Sequence, residues 1–239
     1  DIKAPVNNSN RRLPVMFWIH GGGNTSGVKD YYDFSTLISE HQVLVVTINY
    51  RLGPMGWFTH PAIQGLQSGI DKTSNFGTLD IMEALKWVKT NIQSFGGDPN
   101  NITIFGESAG GNNVLSLLAS PMGDDLFNKA ISQSGYTTSF TKEEAIGLNQ
   151  KGIIVNQLGS DPALSKHDLS GYGSIKSLFN SNPLKYGEEY QRYLRSLDGR
   201  ALLETYEQIS KDTYDRLPLL TRDGIVTHIN GVSAGLASS

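Results

Sequence analysis

Three short apolar runs constrain the fold of this chain more than any other feature of its sequence. They are PVMFWIH (residues 14–20), VLVVTINY (43–50) and ITIFGES (102–108). Runs of this length are typical of strands that are buried on both faces of a parallel sheet. A weaker run, KAISQS (129–134), is a candidate for a fourth strand. The sequence therefore predicts a mostly parallel sheet.

Helical patterns lie between and after these runs. Between the second and third runs, apolar residues recur at helical spacing, namely at Ile81, Leu85, Val88 and Ile92. Gly96 and Gly97 suit the end of that helix. A second helix is expected over AGGNNVLSLLAS (109–120), where Pro121 would stop it. Strands that alternate with helices predict an α/β fold with helical crossovers.

The length of the chain suits one sizeable domain. With 239 residues, we expect a single α/β domain with a core large enough to be stable. Residues 1–135 would form the sheet core, residues 136–215 a helical layer, and residues 216–239 a loop with a short strand.

Composition excludes several classes of function. The formal net charge is −3 and charges of both signs are mixed, so no basic face for nucleic acid is expected. No apolar run is long enough to cross a bilayer. The N-terminus does not resemble a signal peptide, although a leader could have been removed. The absence of cysteine excludes disulfides and thiolate chemistry. We expect a soluble protein, either cytoplasmic or exported.

A candidate nucleophile lies at the junction of the third strand and the helix after it. Gly-Glu-Ser-Ala-Gly places Ser108 between Gly106 and Gly110. A sharp strand-to-helix turn exposes such a serine, and the glycines make room for it. The amide of Ala109 could then face a developing oxyanion. The alternative is a chance match, because the chain has 26 glycines.

A second motif, HGGGNTSG (residues 20–27), follows the first strand, and we call it the glycine loop. Successive glycines allow two amides to face one point, so Gly22, Gly23 and Ala109 are the predicted oxyanion hole. A flexible turn or a phosphate loop is the alternative, but the spacing of a phosphate loop is absent. We expect His20 to be a structural hydrogen-bonding residue rather than the catalytic base.

Long segments of the chain resemble the type-B carboxylesterase (cholinesterase-like) family of α/β-hydrolases. They are LPVMFWIHGGG, VLVVTINYRLGPMGWFT, NFGTLDIMEALKWVKTNIQSFGGDPNNITIFGESAGG and LFNKAISQSG, which together cover residues 13–135 almost continuously. The resemblance implies an α/β-hydrolase fold, a mostly parallel sheet with helices on both faces. It also implies Ser108 as nucleophile and the oxyanion hole named above.

The resemblance also implies roles for neighbouring polar residues. Glu107 is similar to the buried family carboxylate that supports the catalytic turn, and Ser134 to the serine near the triad acid. A satisfied core carboxylate and an ordinary strand-end serine are the alternatives. We expect Asn75 and Asp80 to brace loops, and Arg51 to form a structural ion pair.

The remaining triad residues are not assigned. In the family the acid and the histidine follow the serine far downstream, at positions expected beyond Ser239. The chain therefore resembles an internal fragment, incomplete at both ends. His228 is the one histidine placed late enough to complete a triad from within. Its acid would come from Asp198, Asp212 or Asp215, although DGIVTH matches a non-catalytic stretch of the family.

These features favour a serine carboxylic-ester hydrolase that acts on small-molecule esters through an acyl-enzyme, with no metal or cofactor. The alternatives are a non-catalytic cholinesterase-like binding domain and an inert fragment. For the fragment we expect self-association through unpaired sheet edges. Four aromatic residues are candidates for the substrate pocket, with core packing as the alternative: Trp57, Phe58, Tyr136 and Phe140.

Overall fold

The structure, a computed structural model, describes residues 1–6, 12–148, 182–196, 198–200 and 220–238. Its main sheet has five strands: β1 (Ile2–Lys3), β2 (Leu13–Ile19), β3 (Leu44–Thr47), β4 (Gly97–Glu107) and β5 (Lys129–Gln133). Their order is β1-β3-β2-β4-β5. All neighbouring pairs are parallel except β1 with β3. The predicted mostly parallel sheet is confirmed, and the antiparallel strand β1 is an addition that the sequence analysis did not contain.

Helices connect and follow the strands. They are α1 (Ser35–His41), α2 (Gly53–Gly56), α3 (Pro61–Gln64), α4 (Phe76–Asn91), α5 (Ala109–Leu118), α6 (Lys142–Leu148), α7 (Pro183–Ser196) and α8 (Val232–Ser238). The helices predicted before and after Ser108 are α4 and α5. Within the described residues, no helix has the length and apolar character that crossing a membrane would require.

Two helix-related expectations need correction. Gly96, at φ 86°, ends a 3₁₀ turn (Ile92–Phe95) that follows α4, whereas Gly97 already begins β4. For residues 216–239 the sequence predicts a loop with a short strand. The structure has β7 (Thr221–Arg222) there, paired with β6 (Phe140–Thr141), and adds helix α8. Helix α8 packs closely against the end of α5, where Val232 of α8 and Ala119 belong to one apolar cluster and a Cβ on Gly235 would lie 2.7 Å from the Cβ of Ala119.

The core lies between one face of the sheet and helices α4 and α5. Its strand residues include Val15, Phe17, Ile19, Ile102 and Ile104. The predicted apolar stripe of α4 is fully buried against them, at Ile81, Leu85, Val88 and, just after the helix, Ile92. Burial of each large apolar side chain contributes about 1.5–3 kcal/mol, so this layer fixes α4 on the sheet.

The register of the central strands determines where the functional motifs meet. Ile19, the last residue of β2, pairs with Gly106, and Glu107 pairs with Gln133 at the end of β5. Because parallel strands carry their carboxyl ends to one edge of a sheet, the glycine loop and Ser108 emerge side by side. Ligands of open α/β sheets bind at this edge.

Strand β5 is an outer strand of the described sheet. Four of its five residues are exposed, and Ile131 is 45% exposed. The predicted self-association through sheet edges would involve this strand, and it stays a prediction.

Candidate active site

Ser108 has a strained backbone. It joins β4 to α5 with φ 56° and ψ −120°, a conformation that residues with a side chain rarely adopt. Its N–H donates to the carbonyl of Gln133 at 2.9 Å, and its carbonyl accepts the N–H of Asn112 at 2.9 Å. Strain of this kind costs on the order of 1–3 kcal/mol and is concentrated at functional sites. The surrounding strand and helix therefore hold Ser108 in a costly turn.

Gly106 and Gly110 allow this turn to form. A Cβ on Gly106 would lie 2.6 Å from the backbone carbonyl atoms of Gly110 and 2.7 Å from the carbonyl oxygen of Ile19. A Cβ on Gly110 would lie 2.9 Å from the carbonyl oxygen of His20. Since all of these neighbours are backbone atoms, only glycine at both positions lets β2, β4 and α5 approach so closely.

The glycine loop lies directly beside Ser108. A Cβ on Gly21 would be 3.3 Å from the Cβ of Ser108 and 2.6 Å from the carbonyl oxygen of Glu107. Gly22 and Gly23 follow at φ 105° and 64°, both in the left-handed region that favours glycine. The structure thus brings the loop and the serine together at the carboxyl edge of the sheet.

The predicted oxyanion-hole donors have no hydrogen-bond acceptor within the described part of the chain. The carbonyl of Gly22 accepts the N–H groups of Thr25 and Ser26, at 3.1 and 3.0 Å. Among the described residues, by contrast, no acceptor is bonded to the N–H of Gly22, Gly23 or Ala109. The N–H of Ala109 is also one of the free donors at the start of α5, where the helix dipole favours negative charge. Such donors can bind a developing oxyanion.

A network of buried hydrogen bonds holds the glycine loop on the protein core. The hydroxyl of Tyr50 donates to the carbonyl of His20 at 2.6 Å. The side-chain oxygen of Asn24 accepts from the amide of Asn113 at 2.8 Å, and Asn113 also lies 3.4 Å from the Tyr50 hydroxyl. Burial raises the pKa of Tyr50, so its hydroxyl remains protonated and able to donate.

Sequence reasoning missed this network. One signal could have found part of it, because asparagine tolerates a left-handed backbone better than most residues with a side chain. Asn24 does so, with φ 58°. Nothing in the local sequence indicates its partners Tyr50 and Asn113, which are distant along the chain.

The His20 ring has a structural setting. It stacks on Tyr50 with ring centroids 4.5 Å apart, and its Nδ1 lies 2.8 Å from the carbonyl oxygen of Gly21. Because a carbonyl can only accept, Nδ1 carries the proton. Nε2 is buried without a partner among the described residues. Burial lowers the pKa of His20, so the ring is neutral near pH 7.

The structure does not bring His228 to the serine. A Cβ on Gly235 would lie 2.7 Å from the Cβ of Ala119 and 3.1 Å from that of His228. His228 is therefore near the C-terminal end of α5, whereas Ser108 precedes its first residue. A helix of ten residues spans roughly 15 Å, far beyond hydrogen-bond reach. This placement contradicts His228 as the base for Ser108.

The structure does not support any of the three acids considered as partners of His228. Asp198 is exposed, and Asp212 and Asp215 lie outside the described residues.

No group of three potential metal-ligating side chains occurs within the described ranges.

Two further residues predicted near the site differ from expectation in burial. Glu107 was expected to be buried, but it is only half-buried, with its carboxylate beside Gly21. Ser134 is exposed, with φ 51°. The resemblance-based roles of both residues stay predictions.

The structural roles expected for three other residues are observed. Arg51 forms a two-pronged ion pair with Asp80, with both nitrogen–oxygen distances at 2.7 Å. Asn75 is fully buried and bonds through its amide to the backbone of Thr221 and to the carboxylate of Asp223. Asn75 and Asp80 therefore brace loops, as the sequence predicted.

Of the four aromatic pocket candidates, Trp57 has a side chain with an observed core role, and the role of the Phe58, Tyr136 and Phe140 rings stays a prediction. Trp57 is 1% exposed and belongs to the core, so it is not a pocket residue in this structure. The carbonyl of Tyr136 accepts the side-chain amide of Asn112 at 2.5 Å, which ties the segment after β5 to α5.

Known carboxylesterases are similar to this chain in sequence and in fold. The model of the carboxylesterase family matches residues 1–216. The chain is 38% identical to the para-nitrobenzyl esterase of Bacillus subtilis over 223 residues, which are 89% of this chain and 44% of that protein. It is 49% identical to the fumonisin B1 esterase of Sphingopyxis macrogoltabida over 124 residues, which are 51% of this chain and 23% of that protein.

A solved structure of a PNB esterase superposes on all of this chain and on 45% of its own, with a TM-score of 0.77 and 31% identity. The chain thus spans less than half the length of these relatives. The predicted α/β-hydrolase fold is confirmed.

Proposed function

The chain belongs to the carboxylesterase family, and from this premise we propose that it acts as a serine hydrolase on small carboxylic esters. The observation that carries the proposal is the strained turn at Ser108, which lies against the glycine loop. The names of its relatives, which include a para-nitrobenzyl esterase, support the same reaction class.

In the proposed reaction, the oxygen of Ser108 attacks the ester carbonyl carbon and its proton passes to a histidine base. The resulting oxyanion accepts hydrogen bonds from the N–H groups of Gly22, Gly23 and Ala109. Each such donor contributes about 2.7–4 kcal/mol to the stability of the transition state. The tetrahedral intermediate collapses, the C–O bond breaks, and the alcohol leaves with a proton from the base.

Water then attacks the acyl group on Ser108 with the help of the same base, which releases the acid and restores the hydroxyl. Neither His20 nor His228 is placed to act as this base. The ring of His20 is held by Gly21 and Tyr50, and His228 lies at the far end of α5. The acid and base of the triad therefore stay unassigned.

The proposal is tested by intact mass spectrometry after treatment with a fluorophosphonate, which phosphonylates an activated serine. One adduct on the parent chain and none on Ser108→Ala would support the proposal and would require the base to lie within this chain. The matched control is Ser116→Ala, which removes a buried hydroxyl from α5, the helix that follows Ser108, and should keep any adduct.

Release of para-nitrophenol from para-nitrophenyl acetate by the same samples should follow the same pattern. An adduct that persists in Ser108→Ala would contradict the assignment of the nucleophile. A folded parent chain without any adduct would contradict catalysis by this chain, and would favour the binding domain or the inert fragment.

A further inference from the structure

We propose that Asn24 and Asn113 form a buried amide pair that positions the glycine loop relative to Ser108. The inference rests on the proposed function for its catalytic meaning, although the pairing itself does not depend on it. Both residues are positioning residues, because neither is placed to touch a substrate.

The two amides bond reciprocally in a site closed to solvent. Asn113 donates to the side-chain oxygen of Asn24 at 2.8 Å, and Asn24 donates back to Asn113 over a longer 3.4 Å. The exposed fraction of Asn24 is 1% and that of Asn113 is 0%. A buried amide that lost its partner would carry the full penalty of desolvation, so each side chain holds the other in place.

Tyr50 completes the network and sets its direction. A hydroxyl has one proton, and the shortest bond of Tyr50 goes to the carbonyl of His20 at 2.6 Å. Tyr50 therefore accepts from Asn113, at 3.4 Å, rather than donating to Asn24. The first residue of the glycine loop and the side chain of Asn113 are thus joined through one hydroxyl.

The backbone of Asn24 is held as well. Its φ of 58° continues the left-handed path of Gly22 and Gly23, and its carbonyl accepts the N–H of Gly53 at 2.7 Å. Asn24 is therefore fixed both through its side chain, by α5, and through its backbone, by the segment after β3. Any shift of Asn24 would displace Gly23, because the two residues are covalently adjacent.

This arrangement connects the two halves of the proposed oxyanion hole. Asn113 belongs to the same helix as Ala109, and Ser108 directly precedes that helix. Asn24 directly follows Gly22 and Gly23. A rigid link between Asn24 and Asn113 therefore fixes the distance between the two sets of N–H donors, and catalysis is sensitive to displacements of about 1 Å.

The test is amide hydrogen exchange of the glycine loop, which needs no catalytic activity. Three N–H groups act as reporters because their acceptors are in the loop: those of Thr25 and Ser26, bonded to Gly22, and that of Gly53, bonded to Asn24. We expect Asn113→Ala to speed exchange at these reporters roughly tenfold, the factor that corresponds to about 1.4 kcal/mol.

A double-mutant cycle shows whether the effect belongs to the pair. Asn24→Gly keeps the left-handed backbone accessible while it removes the side chain, so it gives the readout even where Asn113→Ala does not fold. In the double variant, the two effects on exchange should be far from additive, because either change alone already breaks the pair.

The matched control is Asn75→Ala, which removes another fully buried amide, bonded to Thr221. It should leave exchange at the three reporters unchanged relative to the parent chain. Unchanged exchange in Asn113→Ala and Asn24→Gly, additive effects in the double variant, or an equal effect of Asn75→Ala would each overturn the proposal.

Fluorophosphonate labelling of the same samples separates this inference from the proposed function. Labelling that slows in the pair variants and not in Asn75→Ala, at equal folded fraction by near-ultraviolet circular dichroism, supports both. Faster reporter exchange with no labelling of any sample, the parent included, supports the positioning role and contradicts the proposed function.

Discussion

Replacement of Gly106 by alanine should destabilise the protein more than most single substitutions. The added Cβ would lie 2.6 Å from backbone atoms of Gly110 and 2.7 Å from the carbonyl oxygen of Ile19, well inside the 3.4 Å at which ordinary van der Waals contact begins. These neighbours belong to a helix and a central strand, so no flexible side chain can move aside. Overpacking typically costs about 1–3 kcal/mol, and we expect about 3 kcal/mol here.

For a chain of this size, each kcal/mol lowers Tm by roughly 2–4 °C, so Gly106→Ala should lower Tm by roughly 6–12 °C. The measurement is thermal unfolding followed by circular dichroism. The matched control is Gly187→Ala in α7, where a Cβ would make an ordinary 3.6 Å contact with Leu66 and should stabilise the helix by up to about 1 kcal/mol. A Tm for Gly106→Ala within about 2 °C of the parent would refute the reasoning.

Two further predictions concern titration and salt. Because burial lowers the pKa of His20 in the folded state, the unfolded chain binds the proton first, and stability should fall as pH drops below about 6.5. His20→Asn keeps a hydrogen-bond donor near the position of Nδ1 but cannot titrate, so stability should then depend less on pH in this range. Urea unfolding at several pH values measures this, and an unchanged pH dependence would contradict His20 as its source. Asp80→Asn should cost less than about 1 kcal/mol, because the Arg51 side chain is 51% exposed. That difference should shrink at high salt, and a salt-independent loss in urea unfolding would argue against an ionic origin.

The pairing of the two motifs shows how the α/β architecture produces a site. Each central strand ends at the same edge, and each is followed by a segment with polar or glycine-rich character. The glycine loop and the start of α5 lie side by side because Ile19 and Gly106 are partners in neighbouring strands. A register change of one residue between β2 and β4 would therefore separate the loop from Ser108 and turn the side chains of the core outward.

The sequence alone determined the elements whose signal is local. The apolar runs predicted β2 to β5, and helical periodicity predicted α4 and α5, because side-chain burial repeats with the geometry of each element. The Gly-Glu-Ser-Ala-Gly motif predicted the sharp turn at Ser108 for the same reason, since the strained residue, its glycines and its flanking elements are neighbours along the chain.

Only the tertiary structure decided what depends on distant contacts. The antiparallel strand β1 forms because Ile2 and Lys3 pair with β3, and α8 packs against the end of α5 through Val232 and Gly235. The distance of His228 from Ser108 follows from that packing. The amide pair of Asn24 and Asn113 joins residues 89 positions apart. The sequence around each asparagine does not predict its partner, because the two amides meet only when the strands and helices that contain them have packed together.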